Sequence, residues 1–131
     1  MELAACGSGG SGGRDYCKGE YSYKDPSEQL GVRCCVYNET RPERVVGPDG
    51  ITWNHGNSDW DGWSTYCEAD NIYGESVEVG GSCLRADYDT AVETCNELGY
   101  RLCTVQELSD NCASWSGCGF DAEMVWAAED R

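Results

Sequence analysis

The stretch that decides the fold is ETCNELGYRLCTVQELSDNC, from Glu93 to Cys112. It has the spacing of two short helices and carries three cysteines, but it contains no catalytic motif. Gly99 is suited to the position that follows a helix C-terminus. The tetrapeptide TVQE matches a capping box, in which a Thr at the N-cap pairs with a Glu three residues later. The stretch therefore predicts helices at about 88–98 and 104–112.

The cysteines indicate where such a chain folds. Ten cysteines in 131 residues, an even number, are typical of a disulfide scaffold in an oxidising, extracellular compartment. A zinc site would need ligands at short spacing, such as C-x-x-C, or a second histidine, and the chain has neither. We expect the cysteines to form disulfide bonds that attach short helices to a sheet, although their pairing does not follow from the sequence. They are Cys6, Cys17, Cys34, Cys35, Cys67, Cys83, Cys95, Cys103, Cys112 and Cys118.

Working outward, VRCCVY at 32–37 alternates as a strand does. Its adjacent cysteines should therefore point to opposite faces and bond to different partners. Strand and helices together predict an α+β fold, a small antiparallel sheet with two short helices in one disulfide-stabilised domain over 14–131. GSGGSGG predicts a flexible arm over 1–13, from which Cys6 can reach a distant site or a neighbouring molecule.

The charge excludes several partners. There are 24 acidic and 9 basic residues, and the resulting net charge of −15 repels phosphate backbones and anionic membranes. Nucleic acid is therefore not expected as a partner. No apolar run reaches membrane-spanning length, so we expect no membrane insertion. Met1 is followed by no apolar stretch like that of a signal peptide, and we interpret the chain as a mature or partial product of a longer precursor.

A family resemblance rests on four segments. GVRCCV, CEADNIYGES, YDTAVETCNELGYRLCTVQEL and GCGFDAEMVW resemble a cysteine-rich extracellular module of diatom and other algal secreted or surface proteins. The resemblance covers roughly 31–126, with YGES in place of a WGES box and WSGCG in place of GTGCG. It implies location and architecture rather than an activity. The segment A..C...G.RL.T..EL is also similar to the two-helix part of C-type lectin-like domains, whose EPN and QPD sugar-site tripeptides are absent here.

One acidic loop matches a calcium-binding template. NSDWDGWSTYCE at 57–68 fits D-x-[DN]-x-[DN]-G-x₅-E, which supplies the hard oxygen ligands and the turn glycine that calcium needs. The departures are Asn at the first position, the absence of flanking helix patterns, and a cysteine that would restrict the last ligand if it were bridged. The alternative is a solvated acidic turn. The candidate calcium ligands are Asn57, Asp59, Asp61 and Glu68.

The same region is rich in aromatic residues. Apolar sugar faces stack on aromatic rings while sugar hydroxyls bind amides and carboxylates, so this composition is typical of a glycan site. The alternative is that the tryptophans fill the core. The candidate ligand-binding residues are Trp53, Asn54, Trp60, Trp63, Tyr66 and Tyr73. Separately, the sequon NET predicts N-glycosylation at Asn38.

Catalysis has little support in the sequence. The single histidine, His55, has no serine or cysteine partner in a recognisable motif, and oxidised thiols are not nucleophiles. We therefore expect no enzyme, but a non-catalytic extracellular module of a cell-surface or matrix protein that binds glycans or extracellular proteins. The alternative is a structural subunit or repeat of an extracellular filament or coat, which binds copies of itself through the N-terminal arm.

Overall fold

A computed structural model describes residues 1–10, 17, 20–37, 39, 51–53, 65–67, 71–79, 82–113 and 120–129 of the chain. The helices are α1 (Tyr88–Glu97) and α2 (Val105–Ser109). The strands, in chain order, are β1 (Glu2–Cys6), β2 (Tyr21–Lys24), β3 (Leu30–Gly31), β4 (Arg33–Tyr37), β5 (Ile51–Trp53), β6 (Thr65–Cys67), β7 (Ile72–Val79), β8 (Ser82–Cys83), β9 (Arg85–Ala86), β10 (Arg101–Leu102) and β11 (Met124–Trp126).

The described strands form two sheets. The first has the order β2-β1-β11-β3-β9, and the second has the order β10-β4-β7-β5, with β6 and β8 also paired to β7. A small disulfide-rich α+β domain with sheets and two helices is confirmed. The expectation of an antiparallel sheet needs one correction, because β11 pairs with β3 in parallel, Val125 opposite Gly31. The final strand enters the first sheet between β1 and β3, antiparallel to the former and parallel to the latter.

The chain passes directly from one sheet to the other at Val32. This residue separates β3 from β4, and its carbonyl accepts a hydrogen bond from the amide of Val77 (3.2 Å). Two buried apolar clusters lie on either side of β4, because successive side chains of a strand point to opposite faces. Cys34 belongs to the cluster around Trp126, and Cys35 belongs to the cluster around Phe120. The alternation predicted for the adjacent cysteines is therefore confirmed.

Local capping signals define both helices. Asp87 caps α1 by accepting a hydrogen bond from the Thr90 amide (2.9 Å), and Gly99 follows the helix at φ 81°. The capping box of α2 is present, with Thr104 as its N-cap. However, α2 ends at Ser109 rather than near 112, because the chain leaves the helix through Asn111 in the left-handed region (φ 65°).

The N-terminal residues are part of the fold. β1 lies between β2 and β11, with Ala4 opposite both Ser22 and Trp126. Gly7 and Gly9, which follow β1, are buried, and a Cβ at either position would overlap a backbone carbonyl of another segment. The predicted flexible arm is therefore wrong for residues 1–10, and the domain begins before residue 14; residues 11–13 lie outside the described part of the chain.

Four disulfides join described cysteines. They are Cys6–Cys17, Cys34–Cys95, Cys35–Cys103 and Cys67–Cys112. Cys83 is also disulfide-bonded, and Cys118 lies outside the described residues. As predicted, the bridges attach the helical segment to strands: α1 is tied to β4, and the residues flanking α2 are tied to β4 and β6. Of the two alternatives left open for Cys6, a bond within the domain and a bond to a neighbouring molecule, the second is wrong, because this cysteine is buried and bonded to Cys17 of the same chain.

Candidate functional site

The predicted glycan surface is described only in part. Asn54, Trp60 and Trp63 lie outside the described residues. In the backbone, Tyr66 is opposite Tyr73 and Trp53 is opposite Val77, so the three remaining aromatic positions lie on or beside β7. Tyr73 itself is half-buried and packs against the cluster around Trp126. This surface stays a prediction.

The predicted calcium and glycosylation sites also lie outside the described residues. These are the candidate ligands Asn57, Asp59, Asp61 and Glu68, the sequon residue Asn38, and His55. The neighbouring Cys67 is bonded to Cys112. A bridged cysteine beside the last candidate ligand is one of the departures from the calcium template. The calcium loop and the glycosylated asparagine stay predictions.

One described group has the geometry of metal ligands but another explanation. Atoms of Cys35, Cys103 and Glu107 that could hold an ion lie within 4.8 Å of one another. The two sulfurs are bonded to each other, so neither is a thiolate ligand. The carboxylate of Glu107 accepts hydrogen bonds from Arg101 and from the Thr104 amide. This group therefore stabilises the start of α2 and is not a metal site in the oxidised protein.

The described surface contains an open groove of about 330 Å³ whose walls carry two exposed tyrosines. β2 is the outer strand of the first sheet among the described strands. Its residue Tyr23 is opposite Leu3 of β1, and Tyr21 is opposite Ala5. Because cross-strand partners share a face, both tyrosines lie on the side of the sheet that faces α2. We call this feature the tyrosine groove; its described lining residues are Leu3, Tyr21, Tyr23, Val105 and Glu129.

Backbone hydrogen bonds fix the opposite wall of the tyrosine groove. Ala128 forms a parallel bridge with Thr104, and its amide donates to the Cys103 carbonyl (2.9 Å). The preceding amide, of Ala127, donates to the Leu3 carbonyl (3.0 Å). These bonds place Glu129 beside the first turn of α2 and across from β2. The sheet and the helix together therefore fix the backbone that leads into Glu129, and the side chain of Glu129 is exposed.

The tyrosines are unusually available for contact. Tyr21 is 61% exposed and Tyr23 is 52% exposed. Between the described residues of the two walls there is one long hydrogen bond, in which the Tyr23 hydroxyl donates to Oε2 of Glu129 at 3.5 Å. Ring faces, phenol hydroxyls and a carboxylate are the groups that bind the apolar faces and the hydroxyls of sugars.

Sequence reasoning missed the tyrosine groove. A signal was present, since Tyr21 and Tyr23 alternate with period two in YSYK and so share one face of a strand. The other wall gives no such signal, because Glu129 is 106 residues away from Tyr23 in the chain.

Several described residues of the segments that carry the family resemblance lie in the interior. Within YGES, a Cβ at Gly74 would meet the Cys112 carbonyl, and Glu75 and Ser76 are buried. The Ser76 hydroxyl accepts a hydrogen bond from Nε of the buried Arg33 (2.8 Å), whose Nη1 donates to the Gly7 carbonyl (2.7 Å). These residues connect the two sheets to the N-terminal segment. They build the scaffold, and a contact surface for a ligand has to be formed by other residues.

Comparison of the chain with protein-family models, with curated proteins and with solved structures finds no match. The resemblances to the algal module and to C-type lectin-like domains stay predictions. Within the part of the chain that the structure describes, neither helix has the length and apolar character needed to cross a membrane.

Proposed function

We propose that this chain is a non-catalytic extracellular module that binds glycans through the tyrosine groove. The observation that carries the proposal is the pair of exposed rings, Tyr21 and Tyr23, on one face of β2 beside the carboxylate of Glu129. Multiple disulfides are typical of extracellular proteins, which supports the proposed location. The proposed binding site lies on the first sheet, whereas the site predicted from the sequence lies in the region from Trp53 to Tyr73.

The proposed groove requires no catalytic group. Sugars stack their apolar faces on tyrosine rings, and their hydroxyls bind phenols and carboxylates. The C-type lectin-like character belongs to the same proposal. It is supported by α1 and α2, which form where A..C...G.RL.T..EL predicts the two-helix part. Because the described residues of the groove supply a single carboxylate, we expect binding to persist in a chelator.

The filament interpretation would need another site of contact between copies of the chain. Its proposed connection was the N-terminal arm, and Cys6 in that segment is bonded to Cys17 within the same chain. β1 is also already paired on both edges. We therefore expect the chain to be a monomer in solution. This expectation agrees with the proposed binding module and disagrees with a coat subunit joined through this segment.

The test is a binding screen against immobilised neutral, amino and sulfated oligosaccharides, followed by calorimetric titration of each hit. Tyr21→Ala and Tyr23→Ala should each weaken binding by about tenfold, the effect of losing roughly 1.4 kcal/mol of stacking. Asn96→Ala is the control, because Asn96 is exposed on α1 and does not line the groove. Its affinity should equal that of the unchanged protein. A screen without hits, or equal losses in all three variants, would refute the proposed site.

A further inference from the structure

The described lining of the tyrosine groove includes one acidic residue, and the inference drawn from its charge rests on the proposed function. Of the described residues that line the groove, Glu129 alone carries a formal charge. Among the described residues its carboxylate has no cationic partner, and its contact with Tyr23 is long. As far as the described residues show, the carboxylate of Glu129 is therefore open to a ligand.

Lys24, the lysine of β2, does not neutralise the charge of the groove. Lys24 is opposite Glu2 in the register of β2 and β1, whereas Tyr23 is opposite Leu3. Because adjacent residues of a strand point to opposite faces, Lys24 and Glu2 lie on the other side of the sheet from the tyrosines. Lys24 therefore has its own carboxylate opposite it and does not face Glu129 across the groove.

The surrounding potential has the same sign. The pKa of Tyr88 is raised, first by burial and then by the negative charges of Glu2, Asp89 and Glu129. The net charge of the chain, −15, attracts cationic ligands and repels sulfated or carboxylated ones. Groove and whole molecule thus favour the same class of ligand.

We propose that the tyrosine groove binds glycans that carry a protonated amine, and that glucosamine oligosaccharides are the class it fits. The pyranose faces stack on Tyr21 and Tyr23 while the ammonium group is held near their rings and pairs with Glu129. An ammonium over an aromatic face is attracted by the ring quadrupole, and a charged hydrogen bond to a carboxylate is stronger than a neutral one. Two rings on one face, two residues apart in an extended strand, favour a flat sugar over a thin lysine side chain.

The test compares two probes with the same sugar backbone, a glucosamine tetramer with protonated amines and its fully N-acetylated form with neutral acetamides, titrated calorimetrically at pH 6 in low salt. Carboxylates are ionised and the sugar amine is protonated under these conditions. The glucosamine tetramer should bind at least tenfold more tightly, and added salt should reduce this preference. Glu129→Gln should bring the two affinities within about twofold of each other, with the melting temperature unchanged because the side chain is exposed.

The matched control is Glu93→Gln, which removes the same charge from the exposed face of α1 and should leave the preference intact. Equal binding of both tetramers would overturn the inference but leave the proposed glycan function standing. Binding of neither would refute both. A preference that survives in Glu129→Gln would also overturn the inference, because Glu129 would then not be the group that binds the amine. Tetralysine that competes as well as the glucosamine tetramer would overturn it too, because charge alone would then be recognised.

Discussion

Arg101 and Glu107 form a bidentate ion pair, with Nη1 2.8 Å from Oε1 and Nη2 2.7 Å from Oε2. The Thr104 amide donates to the same carboxylate (2.9 Å), and the Glu107 amide donates to the Thr104 hydroxyl (3.1 Å). The pair therefore joins β10 to the first turn of α2. Val105, in that turn, lines the tyrosine groove, so the ion pair also positions one wall of the proposed site.

The ion pair predicts a stability contribution that depends on pH. Burial alone would raise the pKa of Glu107, but the hydrogen bonds from Arg101 and Thr104 and the Arg101 charge outweigh it and lower the pKa. A lowered folded-state pKa stabilises the fold above the unfolded value, about 4.3, and this stabilisation is lost as the pH falls through the folded value. Glu107→Gln should reduce the free energy of unfolding by about 1–2 kcal/mol at neutral pH.

Denaturant unfolding at neutral pH and at about pH 3 checks this prediction, because the deficit of Glu107→Gln should shrink as the wild-type carboxyl takes up its proton. Glutamine keeps one oxygen for the capping box but cannot accept both hydrogen bonds from Arg101, so the change removes the charge and one hydrogen bond of the pair. Glu93→Gln, at an exposed position of α1, should show no such deficit. A deficit that is the same at both pH values would contradict the role assigned to the ion pair.

The disulfides should contribute unequally. In the chain-entropy model, a bridge stabilises more when it closes a longer loop of the unfolded chain. Cys67–Cys112 spans 45 residues, whereas Cys6–Cys17 spans 11. Replacing the first pair with alanines should lower the free energy of unfolding by about 4 kcal/mol, and replacing the second by about 3 kcal/mol. Guanidinium unfolding with the other bridges intact measures both, and the reverse order would show that native contacts of β1, not loop length, dominate.

The features that the sequence predicted depend on near neighbours. The capping box at Thr104 and the glycine at 99 follow from backbone geometry within a few residues. The opposite faces of Cys34 and Cys35 follow from strand alternation alone. These predictions hold because tertiary contacts cannot easily override local hydrogen bonding and the two-residue period.

The features that the sequence did not predict depend on contacts between segments that are distant in the chain. GSGGSGG has the composition of a tether, but Gly7 and Gly9 pack against the carbonyls of Phe120 and Ser109. Composition alone does not distinguish a flexible glycine from one that allows close approach of two backbones. The tyrosine groove was missed for the same reason, because only the folded chain brings Glu129 to β2.

The acidic loop at 57–68 predicts calcium binding independently of the groove. Selective binding to the folded state must raise the melting temperature by mass action. Thermal unfolding of the oxidised chain in millimolar calcium and in chelator should therefore differ, and Asp59→Ala and Asp61→Ala should abolish the difference. Glu93→Gln controls for a general loss of negative charge. No shift in the unchanged protein would leave the loop a solvated acidic turn.

The buried glycines give a direct test of the N-terminal segment. Gly7→Ala and Gly9→Ala each add a Cβ that overlaps a backbone carbonyl, so the segment or its neighbour must move. Overpacking of this kind should lower the free energy of unfolding by about 1–3 kcal/mol. Asn96→Ala, at an exposed position of α1, provides the baseline for a substitution without such a contact. If both glycine variants unfolded at the wild-type denaturant concentration, the segment would behave as the flexible arm that its composition suggests. A loss of stability in both would show that β1 and the glycines after it fold with the sheet.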